Sequence, residues 1–280
     1  MSGVDLHIHT TLSDSSFTPE QVVEASVRAG LEAIAITDHD STDGIEPAIE
    51  RAKGSSLEIV PGVELSTVYQ SNEIHILGYL LDYRNVDLLS ELNTLQLGRV
   101  ERAEAMVKKL GDNGVPISFE RVTEIAGEGV IARPHIARAM IEEGWVSSYE
   151  EAFARYIADE APCYVAKRML DYRRSLDVVR QAGGIPVLAH PKNERVVEWI
   201  PELMSHGLVG IEVWHPDHTP RFVEFLLEYT KKNRLLVTGG SDSHGIRRAK
   251  PPIGKVRLPR RILEALKEAQ RRQQYSSDPP

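Results

Sequence analysis

Two histidines one residue apart, His7 and His9, end the run Val4-Asp5-Leu6-His7-Ile8-His9, in which apolar and polar residues alternate. A period of two is that of a β-strand, so both imidazoles leave the same face and can chelate one metal ion. Comparable groups recur along the chain: Thr37-Asp38-His39-Asp40, Pro61-Gly62-Val63-Glu64, Ile74-His75-Ile76, Ala189-His190-Pro191 and Ser241-Asp242-Ser243-His244. Asp14 follows the first pair closely. Each group adjoins an apolar run and offers an imidazole or a carboxylate. His7, His9, Asp14, His39, Glu64, His75, His190, Asp242 and His244 are too many donors for one ion of roughly four- to six-fold coordination, so two or three ions are expected. Mixed nitrogen and carboxylate donors suit Mn²⁺, Fe²⁺ or Zn²⁺ better than Ca²⁺, with Mn²⁺ the first expectation. Glu64, in the middle of the series, is the natural bridge between ions.

Other polar residues are expected around this set. Asp38, Asp40 and Asp43 read as helix caps or as acceptors that orient imidazoles. Asp40 and His215 are the candidates for a catalytic role, His215 as a proton donor to a leaving group. His206 precedes Gly207 at a helix end and reads as a cap. The sequence setting of His218 assigns it nothing. Arg133-Pro134-His135 stands at the predicted start of a helix, where backbone donors and an arginine fork favour a phosphate. Arg133, His135 and Lys167 are therefore candidate substrate-binding residues.

The donors need a scaffold that gathers them. Strands at 4–9, 32–37, 57–64 and 73–81 alternate with helices at 18–30 and 43–54. Residues 87–164 are almost wholly helical in pattern. Alternation then resumes, with strands at 185–190, 208–214 and 235–239 and helices at 173–182, 194–206, 220–232 and 259–273. This order predicts an α/β fold, a distorted seven-stranded (β/α)7 barrel with ligands at the C-terminal ends of its strands. The predicted division is barrel at 1–97, inserted helical cap at 98–163, barrel again at 164–273, and a disordered tail at 274–280.

The chain has 280 residues, 41% of them hydrophobic, and a formal net charge of −8. That balance argues against a broad surface that tracks nucleic-acid backbones, so duplex DNA is not an expected partner. A single cysteine, Cys163, cannot form an internal disulfide, which fits a reducing cytoplasm. No leader and no membrane span is expected.

His7-Ile8-His9, Asp14, Thr37-Asp38-His39, Gly62-Val63-Glu64, His75-Ile76-Leu77-Gly78, Ala189-His190-Pro191 and Gly240-Ser241-Asp242-Ser243-His244 together resemble the motif set of the PHP (polymerase and histidinol phosphatase) metal-dependent phosphoesterases. The resemblance covers nearly the whole chain. It implies three ions: one on His7, His9, Glu64 and Asp242, a second on Glu64, His75 and His190, a third on Asp14, His39 and His244. It also implies attack on phosphorus by a metal-activated water. Spacing and insertion are similar to those of stand-alone bacterial enzymes that dephosphorylate nucleoside 3′,5′-bisphosphates and trim short RNA from its 5′ end. A nucleotide or a short RNA end is thus the expected partner. Histidinol phosphate as substrate, and a non-catalytic scaffold role, are the alternatives.

Overall fold

The computed structural model describes residues 3–127, 129–245 and 252–277, with side chains to residue 274. Two compact units divide the chain: Met1–Glu91 with Met169–Pro280, and Leu92–Arg168.

The first unit is built on a curled sheet. Its strands are β1 (Val4–Ile8), β2 (Ala33–Ile36), β3 (Glu58–Tyr69), β4 (Asn72–Tyr79), the two-residue β5 (Leu170–Asp171), β6 (Ile185–Leu188), β7 (Gly210–Trp214) and β8 (Leu236–Gly239). The path runs β1-β2-β3-β4-β6-β7-β8, with β5 pairing off it onto β3. Pairing is parallel from β1 to β3 and from β6 to β8, and antiparallel on both sides of β4. The sheet's two ends meet through a parallel bridge between Ile8 and Ser243, just past β8. The result is a distorted seven-stranded barrel, as the alternating pattern predicted.

Strands β3 and β4 depart from that pattern in one informative way. β3 continues past Glu64 to Tyr69 and turns directly into β4 through Gln70 and Ser71, both at positive φ. Two such residues form the tight turn whose twist matches a hairpin. Because β4 runs backwards, its early residue His75 pairs with Ser66 and lies near Glu64. A reversed strand therefore delivers its ligand from its beginning, while the parallel strands deliver theirs from their ends.

Helices α1 (Pro19–Arg28) and α2 (Ile45–Ala52) pack Val22, Val23, Ile45 and Ala48 against Ile8, Ile34 and Ile36. Thr18 caps α1 in a reciprocal box with Gln21, and Pro19 opens the helix. Helix α3 (Val86–Asp112) leads into the second unit, which holds α4 (Phe119–Ala126), α5 (Arg133–Glu142), α6 (Tyr149–Ala152) and a π-helical turn at Phe153–Ile157. That unit has its own core, including Met106, Leu110, Ile136, Met140 and the buried Cys163.

Back in the first unit, α7 (Tyr172–Gln181) and α10 (Pro220–Asn233) flank the sheet. Between them the expected helix 194–206 is two short helices, α8 (Glu194–Val197) and α9 (Ile200–Ser205). Pro201 has no N–H to continue a helix across that point, so the chain restarts there. Helix α11 (Arg261–Ser277) inserts Ile262, Leu263 and Leu266 into a cluster with Val4, Leu6, Leu77 and Tyr79. It continues four residues beyond the expected end, because Gln273, Gln274 and Tyr275 extend a helix without a stop signal; the rest of the expected tail, 278–280, lies outside the described residues. No helix among the described residues is long and apolar enough to cross a membrane.

Candidate metal centre

The nine expected donors converge on one rim of the barrel unit. Glu64 is wholly buried, and five imidazoles address its two oxygens. Oε1 lies 2.8 Å from His75 Nδ1 and 2.7 Å from His190 Nε2. Oε2 lies 3.2 Å from His7 Nε2, 3.3 Å from His9 Nε2 and 3.1 Å from His39 Nδ1. Asp242 Oδ1 adds a second carboxylate 3.1 Å from His9 Nε2. Beside these, His244 Nε2 lies 3.1 Å from Asp14 Oδ1.

Protein hydrogen bonds alone do not account for this packing. His7 Nδ1 donates to the buried Glu212, so the neutral ring turns a lone pair at Nε2 toward His9, Glu64 and Asp242. His244 Nδ1 donates to the Asp242 carbonyl, so its Nε2 lone pair faces the Asp14 carboxylate. His9 Nδ1, Asp14 Oδ1 and His39 Nδ1 are buried without a hydrogen-bond partner. Acceptors facing acceptors repel unless a proton or a cation lies between them. Donors sharing one ion at 2.0–2.2 Å stand about 3.0–3.4 Å apart, close to the separations above. Four sets have ligand atoms close enough to share an ion: His7, His9, Glu64 and Asp242; His9, Asp14, His39 and His244; His39, Glu64 and His75; His7, His190 and Glu212. The residues fit divalent cations in both donor type and spacing.

Electrostatics point the same way. Burial alone would raise the Glu64 carboxyl, yet His39, His75 and His7 hold it well below its ordinary range. Burial likewise opposes charge on Asp242 and Asp14, and neighbouring imidazoles, His7 and His244 first among them, reverse the sign. His7 is buried, which disfavours its charged form, but Glu212, Glu64 and Asp242 outweigh burial and favour a positive charge at that place. The pocket thus holds carboxylates that stay ionised and positions that attract a cation.

The surrounding loops are tied by carboxylates, though Asp38 and Asp43 meet hydroxyls and a backbone N–H rather than the imidazoles or helix ends expected of them. Asp38 accepts from Thr10 N and Oγ1 and from Ser13 Oγ, at 2.6, 2.7 and 2.5 Å, which shapes the loop carrying Asp14. Asp43 accepts from Ser41 Oγ, and His206 caps α9 through the Glu202 carbonyl. Asp5 accepts from the backbone N–H of Ser241 at 2.8 Å and so positions the residue beside Asp242.

Several expectations are corrected. Asp40 does not line the cleft; its carboxylate accepts from Ser66 N and Oγ, both at 2.7 Å, and braces β3 two residues from Glu64. His215 does line the cleft, but both its nitrogens are engaged. Nδ1 accepts from Asp217 N, which leaves the proton on Nε2, 3.2 Å from Asp242 Oδ2. In this arrangement it orients Asp242. Arg133, His135 and Lys167 belong to the helical unit. The Arg133 guanidinium is paired with Asp159 at 2.7 Å and with the Ile157 carbonyl, over the rings of Phe153 and Tyr164. His135 is buried, and its Nδ1 accepts from Ala132 N, closing its own helix start. Both of these bonds use Nη1 of the guanidinium. Lys167 is half-buried.

Sequence reasoning missed Glu212, Lys192 and His218. Glu212 is wholly buried, holds His7, and accepts from His190 N at 2.9 Å, so one carboxylate orients two donor-bearing strands. The signal was a lone acid inside the apolar strand Gly210-Ile211-Glu212-Val213-Trp214. Lys192, Asp217 and His218 line a cleft of about 320 Å³ together with Asp14, His39, Glu64, His75, His190, His215, Asp242 and His244. Lys192 was legible only as the residue two positions after His190.

Comparison with known proteins places this arrangement. The model of the PHP domain family matches residues 5–159. The chain belongs to the PHP domain family. It is similar to the 5′-3′ exoribonuclease Rnm of Escherichia coli (strain K12), 33% identical over 86% of this chain and 84% of that one. It is 31% identical to a phosphoribosyl 1,2-cyclic phosphate 1,2-diphosphodiesterase of Eggerthella lenta, over 89% and 97%. With a 3′,5′-nucleoside bisphosphate phosphatase of Chromobacterium violaceum it shares 28% identity over 87% and 88%. Among solved structures, one described as a metal-dependent phosphoesterase from Bifidobacterium adolescentis superposes with a TM-score of 0.87, at 30% identity over 95% of both chains. This PHP protein is a phosphoester hydrolase with His/Asp/Glu clusters able to hold metal ions.

Proposed function

We propose that this PHP protein removes the 3′-phosphate of a nucleoside 3′,5′-bisphosphate and releases nucleotides from the 5′ end of short RNA, using two or three divalent ions, Mn²⁺ first and Fe²⁺ or Zn²⁺ as substitutes. The observation that carries the reading is Glu64, a buried carboxylate addressed by five imidazoles. Two carboxylate oxygens offer about four acceptor places, and His7, when neutral with its Nδ1–H donating to Glu212, turns a lone pair toward them. Cations resolve that conflict. His7, His9, Glu64 and Asp242 form one ligand set, Glu64, His75 and His190 a second, and Asp14, His39 and His244 a third.

Divalent ions at such positions supply Lewis-acid charge to phosphoryl oxygens and lower the pKa of water toward neutrality. The chain's own residues supply the rest. Glu212 and His215 hold His7 and Asp242 in fixed orientations, so the ligands need little reorganisation on binding an anion. Lys192, exposed at the cleft, takes the second phosphate of a bisphosphate substrate as a point charge. The helical segment Leu92–Arg168 is inserted in the chain between β4 and β5, and we treat it as an accessory unit to the barrel. We place the activity in the cytoplasm, where a lone thiol such as Cys163 stays reduced. The relative from Eggerthella lenta favours a second reading, hydrolysis of a cyclic phosphodiester.

Product analysis with Mn²⁺ separates these readings. Adenosine 3′,5′-bisphosphate, a 5′-phosphorylated RNA oligomer, a ribose 1,2-cyclic phosphate and histidinol phosphate are compared side by side. Release of adenosine 5′-phosphate from the first and of mononucleotides from the second is expected. Turnover confined to either of the last two overturns the substrate reading.

A further inference from the structure

His218 is a cleft residue that neither the ligand sets nor the carboxylate braces use. It follows His215 on the loop after β7, and its ring lies one step farther out, with centroids 5.4 Å apart, as His215 lies 5.1 Å from His190. Its orientation is fixed on two sides. Nδ1 donates to the Val213 carbonyl at 2.8 Å, and Phe222 packs edge-on at 5.1 Å. With the proton held at Nδ1, Nε2 carries a lone pair. That atom is buried and without a hydrogen-bond partner, in a ring that lines the cleft. Burial also holds this imidazole below its ordinary pKa, which favours the neutral form. A buried, oriented acceptor is costly to leave unmatched, and a ligand donor can match it.

We propose that His218 Nε2 accepts a hydrogen bond from a substrate hydroxyl, the ribose 2′-OH adjacent to a phosphate held over the metal centre, and so selects ribonucleotides over deoxyribonucleotides. This rests on the nucleotide reading above. Sites built to bind a hydroxyl reject the analogue that lacks it, since the acceptor is then left buried and empty.

The test compares kcat/KM for adenosine 3′,5′-bisphosphate and its 2′-deoxy analogue, in the wild-type metal-loaded protein and in two variants. His218→Phe keeps a ring against Phe222 but removes the acceptor; His218→Gln keeps a side-chain oxygen. Wild-type protein should prefer the ribose form by about 10- to 100-fold. His218→Phe should lose that preference mainly by slowing the ribose substrate, and His218→Gln should retain part of it. Metal content and melting temperature, measured on each variant, establish that the centre is intact. Equal rates on both sugars in the wild type, or an undiminished preference in His218→Phe, overturn the proposal. So does an equal loss on both sugars in His218→Phe, which would make the ring a general structural or proton-transfer group. If neither bisphosphate is hydrolysed, the substrate reading itself fails and the assignment falls with it, an outcome distinct from turnover without sugar preference. Should His218→Phe not fold, the result for His218→Gln decides: loss of metal and of melting temperature with unchanged sugar preference in the residual activity counts against the role.

Discussion

Glu212 and Lys192 show how differently two charged residues can serve the same centre. Glu212 is not itself among the cleft-lining residues, yet it fixes the tautomer of His7 and the backbone of His190. Replacing a partner of this kind weakens metal binding about 10- to 100-fold, so Glu212→Gln should raise the dissociation constant for Mn²⁺ by that factor, read by titration calorimetry. An unchanged affinity would reduce Glu212 to a packing residue. Lys192→Ala should raise KM for a nucleoside bisphosphate by about tenfold, with little change for an aryl phosphate that has no second anion to hold. Equal effects on the two substrates would remove Lys192 from recognition. The nine donors were legible in the sequence because imidazoles and carboxylates at the ends of apolar runs are an unusual combination. Glu212 was not, because one acid within an apolar strand looks like a solvent-facing position until the strand is seen buried on both faces. The helix-start setting of Arg133 was legible as well, but its ion pair with Asp159, brought in by the fold, was not.

At the scale of elements, the ligands depend on where strands end and how closely they approach. Gly240, directly after β8, passes so near β1 that an added Cβ would stand 2.4 Å from both Cβ and N of His7. Gly240→Ala must therefore push His7 or open the β1–β8 contact. A loss of about 1–3 kcal/mol in unfolding free energy, with metal binding impaired out of proportion, is the expected outcome. A variant with wild-type metal affinity would contradict the tight closure described. Asp5 makes the same junction from the other side and is pushed up by burial to about 6, against backbone donors at Ser241, Gly254 and His7 that pull it down. Its folded value lies above the unfolded one, so its contribution to stability is complete at low pH and is lost as pH rises through about 6. Between pH 4 and pH 7 the wild type should lose up to about 3 kcal/mol relative to Asp5→Asn, visible in urea unfolding of both proteins. A pH-independent difference would show that Asp5 is not held in this way. The strand–helix alternation was readable from periodicity alone, whereas the β3–β4 hairpin was not. Its turn is Gln70-Ser71, a pair without the glycine or asparagine that normally announces positive φ.

For the molecule as a whole, the centre couples binding to the fold. Carboxylates and imidazoles from β1, β2, β3, β4, β6 and the loop after β8 meet at one place, and removal of cations leaves their lone pairs opposed. The formal net charge is −8, and divalent ions held at the centre would make its cleft attract anions within an acidic protein. If these nine side chains hold a cluster of divalent ions required for phosphoester hydrolysis, metal counting on the active protein will reveal it. Protein purified without chelator is assayed for metal per chain by mass spectrometry, then stripped with chelator and reloaded with Mn²⁺ while phosphate release and melting temperature are followed. Two to three ions per chain are expected, with loss of activity and a lower melting temperature on stripping and recovery of both on reloading. Full activity with fewer than two ions per chain would contradict a required cluster.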